Sequence, residues 1–187
     1  MLVITGTLFF FHHRGHGGHG VLLIKQKKLY VLCALCGEFP YLCSVMEKFE
    51  LHILGCGSAL PTTRHFATSQ VVNVRDKLYM IDCGEGSQLQ FRKSRLKFSR
   101  LNHIFISHLH GDHCFGLLGL ISTLNLLGRT AELHIHSPKG LETLFAPMLS
   151  FFCRQMTYKV IFHEFETKEP GMIYEDRSLT VTTIPLR

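Results

Sequence analysis

From position 46 onward, apolar and polar residues alternate in short runs separated by turn-forming clusters. Period-two patterning predicts strands over 49–54, 70–74, 77–81, 102–107, 132–136, 159–165 and 179–184. Arg75-Asp76 separates two of these runs and reads as a hairpin turn. Helices are predicted over 86–96, 115–127 and 140–151; the second is apolar almost all round, which predicts burial on both sides. Strands alternating with helices define an α/β layered domain. Residues 1–45 differ in character. An apolar run over 2–11 passes into a Gly/His stretch, then a basic patch (Lys25, Lys27, Lys28), then a cysteine-containing apolar run. No strand or helix period emerges there. The segment reads as an atypical leader or mis-called extension ahead of a domain over 46–187, with Met46 as the natural start. The alternative is a genuine extension that packs on the domain or binds a metal. The chain stops at Arg187 directly after a predicted strand, so the domain reads as truncated at its C-terminus.

Composition narrows the class. At 187 residues and 46% hydrophobic, the chain suffices for about one domain with a real core. No apolar run reaches the roughly 18 residues of a membrane span. The net charge of +6 suits an anionic partner such as nucleic acid. Seven cysteines, an odd number, argue against a disulfide-stapled secreted domain and for a reducing, cytoplasmic compartment. Thirteen histidines require an explanation.

The densest chemistry lies in NHIFISHLHGDHCFG, residues 102–116. A strand delivers His108, His110, Asp112 and His113 into one short loop. On extended backbone His108 and His110 point the same way and pinch one metal. Gly111 permits a sharp turn, after which Asp112 and His113 open the next helix and reach a second metal. Imidazole and carboxylate suit zinc, with manganese or iron also compatible.

Three stretches then carry a family resemblance: LGCGSALPTTRHFATS at 54–69, IDCGEGSQLQ at 81–90 and SHLHGDHCFGLLGL at 107–120. They resemble ribonuclease Z, the transfer-RNA 3′-processing endonuclease of the metallo-β-lactamase superfamily, over its N-terminal half only. The resemblance implies the first half of an αββα sandwich and a metal-dependent phosphodiesterase acting on precursor transfer RNA. It also implies two zinc ions per complete site and a homodimer at full length, with no membrane association. By it His108 and His110 hold the first metal, Asp112 and His113 the second, and Asp112 accepts the proton of the attacking water. A third histidine falls at or just past Arg187, and a bridging aspartate and late histidine well past it. The chain as given therefore holds half an active site and is expected to be inactive alone.

Other residues have competing readings. Asp82 either orients a metal-binding histidine or caps the helix beginning near Gly86, and Ser107 is a packing or supporting residue. Arg64 contacts substrate phosphate or is a solvated loop arginine. Arg92, Lys93, Arg95, Lys97 and Arg100 form a basic helix end, read as a solvated face or a phosphate patch. His134 and His136 mimic a metal pair but read as sheet residues, as do His52, His103 and His163. Cys33 and Cys36 form one CxxC, a weak signal alone. Two other functions remain: another hydrolase on the same fold (aryl-sulfatase-like or acting on cyclic phosphodiesters), or a non-catalytic metal-binding remnant.

Overall fold

The computed structural model describes residues 49–58, 62–166 and 168–185, and before them the strand segments 7–10, 20–26, 31–32 and 42–43. In chain order the elements are β1 (Thr7–Phe10), β2 (Gly20–Gln26), β3 (Val31–Leu32), β4 (Leu42–Cys43), β5 (Phe49–Gly55), β6 (Ser69–Val74) and β7 (Lys77–Ile81). Then come α1 (Ser87–Lys93), β8 (Leu101–Phe105), α2 (Gly111–Cys114), α3 (Leu117–Leu126), β9 (Leu133–Pro138) and α4 (Leu141–Phe152). The last three are β10 (Val160–Phe165), β11 (Gly171–Glu175) and β12 (Leu179–Pro185).

One six-stranded sheet runs β10-β9-β8-β7-β6-β5, antiparallel from β5 to β7 and parallel from β7 to β10. Both turn residues between β6 and β7, Arg75 and Asp76, have positive φ (53° and 62°), the twist a tight two-residue hairpin demands. A second, antiparallel sheet runs β1-β2-β12-β11. Period-two alternation sends the strand residues into two cores. Leu78, Met80, Ile104 and Ile106 face α1, α3 and α4 with Phe91, Leu120 and Phe145, while Tyr79, Ile81 and Phe105 face the second sheet with Leu179 and Val181. The layers are thus helices, sheet and sheet, the first half of the expected sandwich.

The structure departs from the sequence pattern in three places. The helix expected over 115–127 is shorter and not buried on both sides: Phe115 is 72% and Leu126 83% exposed, while Leu117, Leu120, Ile121 and Leu124 fill the core. β11 is a strand that the pattern missed. A register shift between Met172 and Tyr174 breaks its alternation, and pairing with β12 supplies what local pattern lacks. Within 1–45, where the sequence shows no strand or helix period, β2 pairs along seven positions of β12, and Ile24 is fully buried in the inter-sheet core. Cys33 and Cys36 lie outside the described residues.

Candidate metal centre

Strand β8 ends at Phe105, and Ile106 N–H donates to His136 O at 2.8 Å, so the chain leaves the sheet from a fixed point. The next residues form the loop. Ser107, His108 and His113 are buried, Asp112 is half-buried and His110 is exposed. Asp112 and His113 stand in the single turn of α2, as the sequence suggests. The three imidazoles gather closely: His108 and His113 ring centroids are 3.8 Å apart, His108 and His110 4.6 Å.

Asp82 organises this cluster from below. It follows β7 in a left-handed conformation (φ 55°), which an aspartate tolerates better than most side chains. Its N–H donates to Phe105 O at 2.8 Å. Its carboxylate accepts Ser107 N–H (2.8 Å) and Ser107 Oγ–H (3.0 Å), and lies 2.7 Å from His113 Nδ1. The carboxylate turns to the metal loop and does not cap α1, whose N-cap is Gly86.

These bonds select tautomers. An ionised carboxylate only accepts, so His113 Nδ1 carries the proton and Nε2 keeps its lone pair. Nε2 lies 3.4 Å from Asp112 Oδ2. Ser107 Oγ spends its proton on Asp82 and faces His108 Nδ1 at 3.2 Å as an acceptor. That leaves His108 Nε2 with a lone pair, 3.0 Å from His110 Nδ1. His110 Nδ1–H thus donates to His108 Nε2, and with that proton released the donor set is His108 Nε2, a His110 ring nitrogen, His113 Nε2 and the Asp112 carboxylate, a chemistry that fits a borderline divalent cation. Among the described residues no three such groups already converge at ligand spacing.

Two glycines let the supporting turn reach the loop. A side chain at Gly84 would strike Asp112 O, and one at Gly116 would strike Gly84 O. The contact is locked by Cys83 N–H to His113 O and Gly116 N–H to Cys83 O, each 2.8 Å. Sequence reasoning read DCGEG as a family signature and missed this contact, whose signal is a glycine on each of the two touching segments, Gly84 and Gly116. Buried Cys83 and Cys114 pack here, their thiols pushed up by burial to about 12 and about 11.

The remaining candidates lie elsewhere. Arg64 is exposed on the loop before β6, where Thr62 Oγ1 accepts the N–H groups of Arg64 (3.3 Å) and His65 (2.9 Å). Arg92, Lys93, Arg95 and Lys97 are exposed, Lys93 stands 5.4 Å from the Phe66 ring, and Arg100 pairs with Asp76 at 2.8 Å. His52 lies 3.6 Å from Glu50.

A helix layer on a mixed sheet, a second sheet behind it, and a histidine-aspartate loop at the end of an inner strand define a chain of the metallo-β-lactamase fold. Among solved structures, the metallo-beta-lactamase fold protein YhfI from Bacillus subtilis matches it with a TM-score of 0.50 at 18% identity, covering 65% of this chain and 47% of that one. A sequence profile described as Anti-Pycsar protein Apyc1 matches residues 49–150, more than half of the chain, and the chain belongs to that family. The resemblance to ribonuclease Z holds as well. Ribonuclease Z of Bacteroides thetaiotaomicron is 84% identical over 142 residues, 76% of this chain and 45% of the relative. The short form of human tRNase Z matches with a TM-score of 0.62 at 26% identity, covering 73% of this chain and 64% of that structure. The chain spans about half the length of the curated relatives it matches.

Proposed function

We propose that this chain carries the metal-binding half of a ribonuclease Z-like phosphodiesterase that cleaves precursor transfer RNA at its 3′ end. The observation that carries the reading is the Asp82–Ser107 clamp, which leaves His108 and His113 each with an Nε2 lone pair beside His110 and Asp112. His108 and His110 would hold one zinc, Asp112 and His113 a second; manganese or iron would suit the same donors. Bound there, the metal pair supplies hydroxide at neutral pH and offsets the charge of the scissile phosphate. Asp82 fixes the His113 tautomer, Ser107 that of His108, and Asp112 stands where a carboxylate would take a proton from attacking water. With two protein ligands per metal where catalytic sites use about three, the chain alone is inactive. We place it in a reducing cytoplasm, consistent with the free thiols of Cys56, Cys83, Cys114 and Cys153, and as a homodimer when joined to its second half. Among the described residues no helix is long and apolar enough to cross a membrane.

The test joins residues 46–187 to the second half of the Bacteroides thetaiotaomicron relative and offers it precursor transfer RNA with a 3′ trailer. Cleavage is expected, and loss of cleavage in His108→Ala and Asp112→Ala. A folded, metal-loaded chimera that leaves the RNA intact would overturn the reading. Because the matching profile and the curated relatives carry different names, a cyclic phosphodiester belongs in the same assay. Turnover of that substrate alone would favour another hydrolase on this fold.

A further inference from the structure

Four histidines outside the metal loop meet on the inter-sheet face of the first sheet. His103 lies in β8, His134 and His136 in β9, and His163 in β10. Parallel pairing sets His103 beside His134 and His136 beside His163. Both neighbouring pairs stack, with centroids 4.9 and 4.7 Å apart and planes at 14° and 15°. The other two edges of this square run nitrogen to nitrogen: His103 Nδ1 to His136 Nε2 at 3.3 Å, and His134 Nδ1 to His163 Nε2 at 3.0 Å.

Geometry along those edges separates a shared proton from a shared metal. The ring centroids stand 5.6 Å apart in His103–His136 and 5.3 Å in His134–His163. Each centroid gap exceeds its nitrogen gap by 2.3 Å, about two imidazole radii laid end to end. The rings therefore meet end-on with both nitrogens on the line, the alignment of an N–H···N hydrogen bond. In the metal loop the same 3.0 Å gap between His108 and His110 comes with centroids only 4.6 Å apart and planes at 76°, a bent approach.

The second sheet closes over one corner of the square. Tyr174 of β11 places its hydroxyl 3.3 Å from His103 Nε2, and its ring 4.4 Å from His103 and 5.4 Å from His136. Tyr79 of β7 stacks on His103, and Phe105 on His136. The charged groups around the array are Asp176 beyond β11, which accepts Lys77 Nζ–H and Tyr79 Oη–H, and Glu132, 3.9 Å from His134. Glu164, next to His163, is engaged with the N-terminus of α4 through Gly140 and Glu142 N–H. Burial is graded: His136 is 4% exposed, His134 half-buried and His163 exposed.

We propose that these four rings form a proton-sharing array that latches β8 and β9 of the first sheet to β11, and that proton uptake entering at His163 opens it. Each shared bond needs one nitrogen to lend a lone pair. One added proton is held between an imidazolium and an imidazole; a second makes both rings of a pair cations, sets N–H against N–H and turns attraction into repulsion. Burial first, then the neighbouring histidines, holds His103 down at about 4 and His136 at about 3, and His163 is lowered by the same causes. The unfolded chain therefore binds these protons first as pH falls. The stability contribution is whole above about pH 6.5 and is lost as pH drops toward the folded values.

The first measurement is nitrogen-15 NMR of the ring nitrogens on the full chain from pH 8 to 5. His103 and His136 are expected to show no titration above pH 5, with His163 responding first. Either buried ring titrating near pH 6.5 would overturn the proposal. The second compares unfolding midpoints across pH 6.5 to 5 with the double variant His103→Phe/His136→Phe, which keeps the stacked rings without their nitrogens. Proton uptake on unfolding should fall by up to about two protons. A pH slope equal to that of the unsubstituted chain would overturn it. Should the variant fail to fold, the NMR titration decides alone.

Discussion

Asp82 Oδ2 lies 2.7 Å from His113 Nδ1, across 31 positions of sequence, and the same oxygen accepts the Ser107 hydroxyl at 3.0 Å. One carboxylate at the end of β7 thus sets the ring state of a residue in α2. Asp82→Asn keeps a side chain tolerant of the left-handed backbone and removes only the charge and one acceptor. The amide then faces His113 Nδ1 with a donor, the ring favours its other tautomer, and Nε2 loses its lone pair. In the completed chimera, metal affinity is expected to fall about 10–100-fold, with a far smaller change in unfolding midpoint. Competition against a chromophoric chelator checks it; unchanged affinity would remove Asp82 from the site.

The turn beneath the loop predicts a contrast among glycines. A β-carbon at Gly84 or Gly116 meets backbone carbonyl oxygens, which cannot step aside without moving the metal loop or β7. Gly84→Ala and Gly116→Ala are each expected to cost roughly 1–3 kcal/mol or more. At Gly119 of α3 the new methyl meets only the end of the Gln88 side chain, 3.1 Å away. Gly119→Ala is expected to be neutral or stabilising by up to about 1 kcal/mol, because alanine favours the helix. Urea unfolding of the three variants reads the difference.

What was legible beforehand follows from the range of each interaction. The strand at 77–81, the Arg75-Asp76 hairpin and the placement of Asp112 and His113 on a helix start rest on neighbours in sequence, and local pattern suffices for them. Asp82 was ambiguous because a cap and a clamp look alike until β8 is laid beside β7. The histidines at 103, 134, 136 and 163 each look like an ordinary strand residue; only the parallel register of β8, β9 and β10 makes them a square. β11 escaped because its bulge destroys the alternation by which strands are recognised. The apolar helix at 115–127 misled in the opposite sense, since Leu126 and Phe115 face outward despite their chemistry.

Thiol reactivity gives a separate check on the packing around the loop. Cys56 is exposed, Cys153 intermediate, and Cys83 and Cys114 buried. Burial drives the Cys83 thiol up to about 12 and the Cys114 thiol up to about 11, so neither forms thiolate at pH 8. Among these four, a brief alkylation at pH 8 followed by peptide mapping should label Cys56 first and leave Cys83 and Cys114 unmodified until denaturant is added. Early labelling of Cys114 would mean that α2 opens in the native state.

Arg129 supplies the last prediction, at the end of the sheet away from the metal loop. Arg129 is 8% exposed, and its guanidinium donates to Leu101 O (2.9 Å), Asn102 Oδ1 (2.8 Å) and Glu132 O, and lies 5.4 Å from the Tyr158 ring centroid. It ties the start of β8 to the approach to β9, a role that needs a fork of donors in one plane. Burial pushes its pKa down, yet arginine remains charged at any working pH. Arg129→Lys keeps the charge but brings three donors from a single point, which cannot span three acceptors on two strands. Arg129→Met removes the donors and strands two backbone carbonyls and one amide oxygen. The lysine variant is expected to lose about 1–2 kcal/mol and the methionine variant about 2–4 kcal/mol. Both should leave metal affinity of the completed chimera within about twofold, because the clamp on His108 and His113 comes from Asp82 and Ser107. Equal stability of all three proteins would show that water replaces the fork, and a large loss of metal affinity would show that the two ends of β8 are mechanically coupled.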